Sequence, residues 1–131
     1  MIKFMTKYTT DNTKLGPYTP AIKSKNGLIF ISGQIGFEKP GDKTLPDSFK
    51  AQCVNSLNNL NTVLAAASAK KTDVLKTTVL LADMKYYQEM NEIYMEFFGD
   101  HRPARAAYSA LGLPAGALIE IEAIAESSDS E

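Results

Sequence analysis

The sequence predicts an α+β two-layer domain, in which two helices cover one face of a six-stranded mixed sheet. The chain has 131 residues, a length that suits one compact domain. Its predicted segments follow in the order β-β-β-α-β-α-β-β, and two helices can cover only one face of such a sheet. No internal repeat or Pro- and Gly-rich linker divides the chain. We therefore expect a single domain over residues 1–125 and a frayed acidic tail over residues 126–131.

The first three strands are predicted from an N-terminal segment and a hairpin. Residues 2–8 can form the first strand. Residues 21–25 and 28–32 flank Asn26-Gly27, a dipeptide preferred in tight hairpin turns because the central positions need a positive φ. Residues 36–46 contain two Gly and two Pro, and they predict a loop that leads to the first helix.

Two helices are predicted from apolar residues at spacings of three and four. Asp47 offers an N-cap for the first helix. Its apolar stripe consists of Phe49, Cys53, Leu57, Leu60, Leu64 and Ala67. The stripe of the second helix, which Gly99 would end, consists of Tyr87, Met90, Tyr94 and Phe98. Residues 76–81, 104–110 and 118–125 predict the remaining strands.

The sheet face without helices is predicted to be partly apolar as well. Residues 28–31 are continuously apolar and therefore place hydrophobic side chains on both faces. In the last strand Leu118 and Ile124 place apolar groups on the same face as Glu120 and Glu122. Because large exposed apolar patches usually mark interaction sites, we expect a homo-oligomer that packs through the helix-free face.

Composition excludes several function classes. A formal charge of −1 and an isoelectric point near 5.8 provide no positive field for nucleic acid or an anionic membrane. With only Cys53 and His101, the monomer cannot form an internal disulfide or a structural zinc site of Cys and His ligands. Cys53 is interpreted as a buried, inert thiol and His101 as a solvated imidazole. We expect a soluble, cytoplasmic protein without a metal centre.

Glu120 and Glu122 are the first candidate catalytic residues, because residues two apart on a strand project from the same face. One interpretation is a pair of solvated carboxylates. The other is a carboxylate in a partly apolar pocket between Leu118 and Ile124, where desolvation raises the pKa toward the range of a general base. The sequence leaves both interpretations open.

Arg105 is the candidate anion-binding residue. On its strand it alternates with Ala107 and Ser109, whose small side chains leave space beside a guanidinium. Such an arginine suits two-point binding of a carboxylate. The alternative is an ion pair between Arg105 and Glu120 or Glu122.

Six segments together resemble a known family. They are 16–18 (GPY), 32–35 (SGQI), 90–94 (MNEIY), 103–105 (PAR), 113–114 (LP) and 119–125 (IEIEAIA). In these segments the chain resembles the RidA (YjgF) family of enamine/imine deaminases over nearly its whole length. The resemblance implies a chorismate-mutase-like fold and a homotrimer with active sites between subunits. It also implies hydrolysis of 2-iminopropanoate and 2-iminobutanoate to 2-oxo acids and ammonia without a cofactor, which removes reactive metabolites.

The resemblance also implies roles for individual residues. Arg105 would bind the substrate carboxylate and Glu120 would deprotonate the attacking water. Tyr18 of a neighbouring subunit would close the pocket. The substrate would further contact the backbone around Gly33, and Asn91 would shape the site.

Two positions depart from the pattern of the family. Ala107 stands where many members have Cys, a position that contributes to substrate binding mainly through its backbone. Pro20 stands where Gln is frequent and would stiffen the approach to the second strand, which could re-aim Tyr18 slightly.

Two other functions stay open at this stage. A non-catalytic trimeric module that binds 2-oxo acids would need Arg105 but not Glu120. A ribonuclease or translation inhibitor, an activity attributed to some relatives, is disfavoured by the acidic isoelectric point.

Overall fold

The computed structural model describes residues 16–127 and the backbone of residues 5–8. The strands are β1 (Met5–Tyr8), β2 (Ala21–Ser24), β3 (Leu28–Gln34), β4 (Val74–Leu81), β5 (Ala104–Ser109) and β6 (Ile119–Glu126). The helices are α1 (Phe49–Ala66) and α2 (Tyr87–Phe98). The prediction of two helices in an α+β domain with a mixed sheet is confirmed.

The strands form one sheet in the order β1-β2-β3-β6-β4-β5. The β4–β5 pair is parallel and all the other pairs are antiparallel. The last strand in chain order, β6, therefore lies in the middle of the sheet, and β5 lies at one edge. The first strand was predicted at residues 2–8, of which residues 2–4 lie outside the described residues.

The hairpin between β2 and β3 is confirmed. Gly27 adopts a φ of +95°, and its N–H donates to the carbonyl of Ser24 at 3.0 Å. The Ser24 hydroxyl also accepts a hydrogen bond from the Leu28 N–H at 3.1 Å. β3 continues to Gln34, two residues beyond its predicted end. The longer strand carries Gly33 alongside β6.

Helix α1 begins after Ser48, so the prediction of Asp47 as its N-cap is wrong. Ser48 has extended backbone angles, and its hydroxyl accepts a hydrogen bond from the Ala51 N–H at 3.1 Å. A cap must directly precede the first helical residue, and Ser48 holds that place. No helix in the part of the chain that the structure describes is long and apolar enough to cross a membrane.

The core lies between the two helices and one face of the sheet. On β6 the core-facing residues are Ile119, Ile121, Ala123 and Ala125. They pack with the buried stripes of the helices, which include Cys53, Leu57, Leu60, Leu64, Met90 and Phe98. On the opposite face Phe30 lies in register between Ile22 and Ile124 and is 47% exposed. The helix-free face of the single chain is therefore partly apolar, as predicted.

The ordered packing continues through Ser127. Glu126 is the last residue of β6, and the buried Ser127 donates from its N–H to the carbonyl of Gly27 at 3.2 Å. The Ser127 hydroxyl also donates to the carbonyl of Ser68 at 3.2 Å. The predicted start of the tail at residue 126 is thus too early by two residues, and residues 128–131 lie outside the described part.

Candidate active site

Glu120 lies on the helix-free face of β6 and is half-buried, whereas Glu122 on the same face is exposed. Burial raises the pKa of the Glu120 carboxyl above its ordinary value, and the charge of Glu122 raises it further. The two glutamates do share a face, as their spacing predicts. The structure favours the interpretation of a desolvated carboxylate for Glu120 and of a solvated one for Glu122.

Gly33 lies directly against the side chain of Glu120. A Cβ atom at Gly33 would be 2.7 Å from Cδ and 2.9 Å from Cγ of Glu120, and closer still to Oε2. The pairing of β3 with β6 is irregular at this point, between Ile31 and Gln34. The missing side chain of Gly33 therefore makes the space that the carboxyl group occupies.

Glu120, Gly33 and Tyr18 line one cavity of about 600 Å³. Its walls are mainly apolar, and its remaining lining includes Pro17, Pro20, Ile35, Phe37, Pro114 and Lys43. Lys43 has no ion-pair partner among residues 16–127 and was not singled out by the sequence, since the loop that carries it has no motif. The cavity thus combines a mainly apolar wall with one carboxyl group and one amino group.

Three hydrogen bonds hold the segment that carries Tyr18 at the cavity. The Tyr18 N–H donates to the carbonyl of Gly16 at 2.9 Å, and a Cβ at Gly16 would be 2.7 Å from the Tyr18 ring. The segment is tied to β3 by the Ser32 hydroxyl, which donates to the carbonyl of Thr19 at 2.7 Å. The carbonyl of Pro20 also accepts a hydrogen bond from the Ser32 N–H at 2.9 Å. This hydrogen bond uses only the carbonyl of Pro20, so the missing N–H of the proline does not affect it.

Amide side chains of α1 anchor the loops around the cavity. Asn59 donates from Nδ2 to the carbonyls of Ile35 and Phe37 at 2.9 and 3.0 Å. Gln52, only 4% exposed, donates to the carbonyl of Pro46 at 2.7 Å and accepts from the Leu118 N–H at 2.8 Å. These amides were not predicted, because polar residues beside an apolar stripe usually face solvent.

Arg105 lies elsewhere, on the edge strand β5 beneath α2. Its Nη1 donates to Oδ1 of Asn91 at 2.8 Å, and its Nη2 donates to the Tyr87 hydroxyl at 3.2 Å. The guanidinium carbon is 5.0 Å from the ring centroid of Tyr94 and 5.7 Å from that of Tyr87, both within cation–π range. The sequence placed Asn91 at the site, but it gave neither Tyr87 nor Tyr94 a role there.

Within one chain Arg105 and Glu120 point to opposite faces of the sheet. Arg105 and Ala123 are both in register with Thr77 of β4, so these three residues share the face that the helices cover. Glu120 is three residues from Ala123 and therefore projects from the other face. The alternative of an ion pair between Arg105 and Glu120 or Glu122 is wrong for this chain.

The predicted site residues thus divide into two groups. The carboxylate half consists of Tyr18, Gly33 and Glu120, and the guanidinium half consists of Asn91, Arg105 and Ala107. Ala107 lies two residues after Arg105 on the same side of β5 and is partly buried. Tyr18 and Glu120 of the same chain line one cavity. If two copies share a site, Tyr18 would belong to the copy that supplies Glu120, and Arg105 would belong to the other copy. The edge position of β5 leaves the guanidinium half accessible to such a copy.

The other candidates for chemistry are structural. Burial, with a smaller effect of the Glu89 charge, raises the pKa of the Cys53 thiol to about 12, which confirms an inert thiol. The prediction of a solvated His101 is wrong, because the ring is partly buried and its Nε2 is 2.7 Å from the carbonyl oxygen of Val74. Over the described residues, no group of three His, Cys, Asp or Glu side chains is placed to hold a metal ion.

Comparisons with known proteins agree with the fold and identify the family. Residues 9–127 match the family described as endoribonuclease L-PSP. A 2-iminobutanoate/2-iminopropanoate deaminase of Mus musculus is 42% identical over 85% of this chain and 82% of its own length. A RutC family protein of Pyrococcus horikoshii is 43% identical over 85% of this chain and 87% of its own length. The crystal structure of RidA from a Psychrobacter species is 34% identical, with a TM-score of 0.87 over 93% of this chain and 99% of that one.

Proposed function

The chain belongs to the endoribonuclease L-PSP (RidA/YjgF) family, and from this membership together with the two half-sites we propose that it is an imine deaminase. Its substrates are 2-imino acids of the size of 2-iminopropanoate and 2-iminobutanoate, and its products are the 2-oxo acid and ammonia. The observation that carries the proposal is a half-buried carboxylate of raised pKa that faces a cavity lined with apolar groups. Relatives that carry the name of this activity support the substrate class.

Glu120 is the general base of the proposed reaction. Its ionised carboxylate accepts a proton from a water molecule while the water oxygen forms a bond to the imine carbon. With a protonated imine, the adduct carries one hydroxyl and one amino group, and the protonated Glu120 returns its proton to the amino nitrogen. The C–N bond then breaks and ammonia leaves while the C=O bond forms, and Glu120 accepts the hydroxyl proton and passes it to the departing ammonia. A raised pKa suits both steps, because a stronger base accepts the first proton more readily near neutral pH.

Arg105 binds the substrate carboxylate in this proposal. A guanidinium carries five N–H donors, and the bonds to Asn91 and Tyr87 leave further N–H groups for two charge-assisted bonds to a carboxylate. Such two-point binding fixes the carbon next to the carboxylate, which is the carbon that water attacks. The reaction needs only this placement and a base, so we propose a cofactor-independent hydrolase.

The complete site requires two copies of the chain. Since the two halves lie on opposite faces of one sheet, we propose that the guanidinium half of one copy meets the carboxylate half of the next. The exposed ring of Phe30 on the helix-free face and the edge position of β5 support an interface there. The family resemblance implies an assembly of three copies with a chorismate-mutase-like arrangement of the sheets. We further propose that the protein acts in the cytoplasm.

Subunit complementation tests the reaction and the shared site together. Arg105→Gln and Glu120→Gln should each abolish the acceleration of imine loss, measured by semicarbazide trapping of the imine that an amino-acid dehydratase produces. When the two variants are co-expressed, about one quarter of the interfaces combine an intact Arg105 with an intact Glu120, so a similar fraction of the activity should return. If the co-expressed variants are as inactive as each variant alone, the shared site is refuted.

The same variants separate the deaminase from a non-catalytic module that binds 2-oxo acids. For the binding module, the wild-type protein would bind 2-oxobutanoate and yet leave the rate of imine loss equal to that in buffer. For the deaminase, Glu120→Gln should retain binding of 2-oxobutanoate while its catalysis is lost. The description of the family names an endoribonuclease activity. The net charge of −1 does not favour this activity, because binding of the RNA backbone depends on positive charge.

A further inference from the structure

We propose that Tyr87 is a positioning residue that sets the orientation of the Arg105 guanidinium and thereby the affinity for the substrate carboxylate. The inference rests on the proposed function of Arg105 and extends it to a residue outside the segments by which the chain resembles its family. It depends on how α2 presents four side chains to one guanidinium.

The four side chains lie on one face of α2. Tyr87, Met90, Asn91 and Tyr94 occupy positions i, i+3, i+4 and i+7, which face the same direction on a helix. Asn91 accepts from Nη1 at 2.8 Å and Tyr87 accepts from Nη2 at 3.2 Å. Because the guanidinium is planar, acceptors on two of its nitrogens fix the rotation of the whole group. Met90 Sδ lies 3.7 Å from the same Nη1 that Asn91 holds, whereas the Tyr87 hydroxyl is the acceptor on Nη2 among residues 16–127. Loss of this hydroxyl therefore leaves Nη2 without an acceptor.

The two tyrosines differ in what their hydroxyl groups do. The buried Tyr94 hydroxyl is 2.7 Å from the Thr77 hydroxyl, so its ring forms a fixed base beside the guanidinium. Tyr87 is 38% exposed, and its hydroxyl has no hydrogen-bond partner within residues 16–127 other than Arg105. The Tyr87 hydroxyl therefore acts on the orientation of Arg105 and not on the packing of the core.

Tyr86 provides a matched control. It is the neighbouring residue, and its ring stacks on Phe49 with a centroid separation of 4.4 Å and an interplanar angle of 1°. Its interactions are with Phe49 and Lys85, whereas those of Tyr87 are with Arg105. Replacing either tyrosine by Phe removes one hydroxyl and keeps the ring, but only the change at Tyr87 removes a bond to the guanidinium.

The test compares Tyr87→Phe and Tyr86→Phe with the wild-type protein. Tyr87→Phe should raise the KM for 2-iminobutanoate and the Kd for 2-oxobutanoate about fivefold, keep kcat within about twofold, and leave the melting temperature unchanged. Tyr86→Phe should change none of the three kinetic and binding constants. Binding of 2-oxobutanamide, which lacks the carboxylate charge, should be equally weak for both variants and the wild type.

Three results would overturn the inference. They are a Kd for 2-oxobutanoate that Tyr87→Phe leaves unchanged, an equal loss in both variants, and a loss confined to kcat. Failure of the proposed function would look different. The wild-type protein would then not accelerate imine loss, while titration with 2-oxobutanoate would still report whether Tyr87 affects the anion-binding arginine.

Discussion

Replacing Gly33 by Ala tests whether the position of the Glu120 carboxylate is the basis of catalysis. The added Cβ would lie 2.7 Å from Cδ of Glu120 and nearer to Oε2. Carbon atoms in ordinary contact are about 3.5 Å apart, so the contact with Cδ alone requires the carboxyl group to retreat by about 0.8 Å, and the nearer Oε2 requires more. A misplacement of about 1 Å can lower a rate by 10²-fold, so we expect kcat/KM to fall about 100-fold, which is about 2.7 kcal/mol of transition-state stabilisation.

The fold should tolerate this change. The atoms that the new methyl group meets belong to the end of a flexible side chain, and Gly33 does not adopt a positive φ. Thermal unfolding should therefore stay within a few degrees of the wild type. Gly112→Ala is the control, because a Cβ at Gly112 meets no atom within 4 Å and its φ is not positive either.

The semicarbazide assay distinguishes the possible results. Gly33→Ala should lose most of its activity, and Gly112→Ala should lose none. Wild-type activity in a folded Gly33→Ala protein would refute the reasoning, since the carboxylate would then be displaced without consequence.

Three further predictions concern charge, packing and assembly. Glu122→Gln should lower the pKa of Glu120, so the acidic limb of the pH profile of kcat/KM should move to lower pH; an unmoved limb contradicts the charge effect. Gln52→Ala leaves two backbone groups without their partners, so it should lower the free energy of unfolding, measured in urea, by about 2 to 4 kcal/mol. The control Gln88→Ala, at an exposed position of α2, should lower the free energy of unfolding by less than about 0.5 kcal/mol. Phe30→Asp should reduce the mass measured by sedimentation to that of a single chain and remove activity, and an unchanged mass would exclude the helix-free face as the interface.

The sequence predicted those features that depend on local pattern. The Asn26-Gly27 turn and most of the apolar stripe of each helix follow from backbone conformation and helical periodicity. Tyr87 is the exception, because it is 38% exposed and contacts Arg105. The alternation along β6 likewise predicted a common face for Glu120 and Glu122. Such features need only residues that are near one another in the chain.

Features that depend on distant segments were not predictable in the same way. The opposite directions of Arg105 and Glu120 follow from the register of β4 with both β5 and β6, which no local pattern encodes. The contact of Tyr87 with Arg105 joins residues 18 positions apart on different elements. The only signal for it is a helical stripe that contains two tyrosines, with Asn91 next to the stripe in the middle of the helix, and the same spacing equally describes a core helix.

The central place of β6 in the sheet has a consequence for folding during synthesis on the ribosome. β3 and β4 are both synthesised long before β6, yet each pairs with β6 and neither with the other. A nascent chain that ends before residue 119 therefore holds two separate fragments, β1-β2-β3 and β4-β5, each with an unpaired edge. Folding of the sheet must wait for translation to pass β6, and until then the chain offers its edges to other nascent chains.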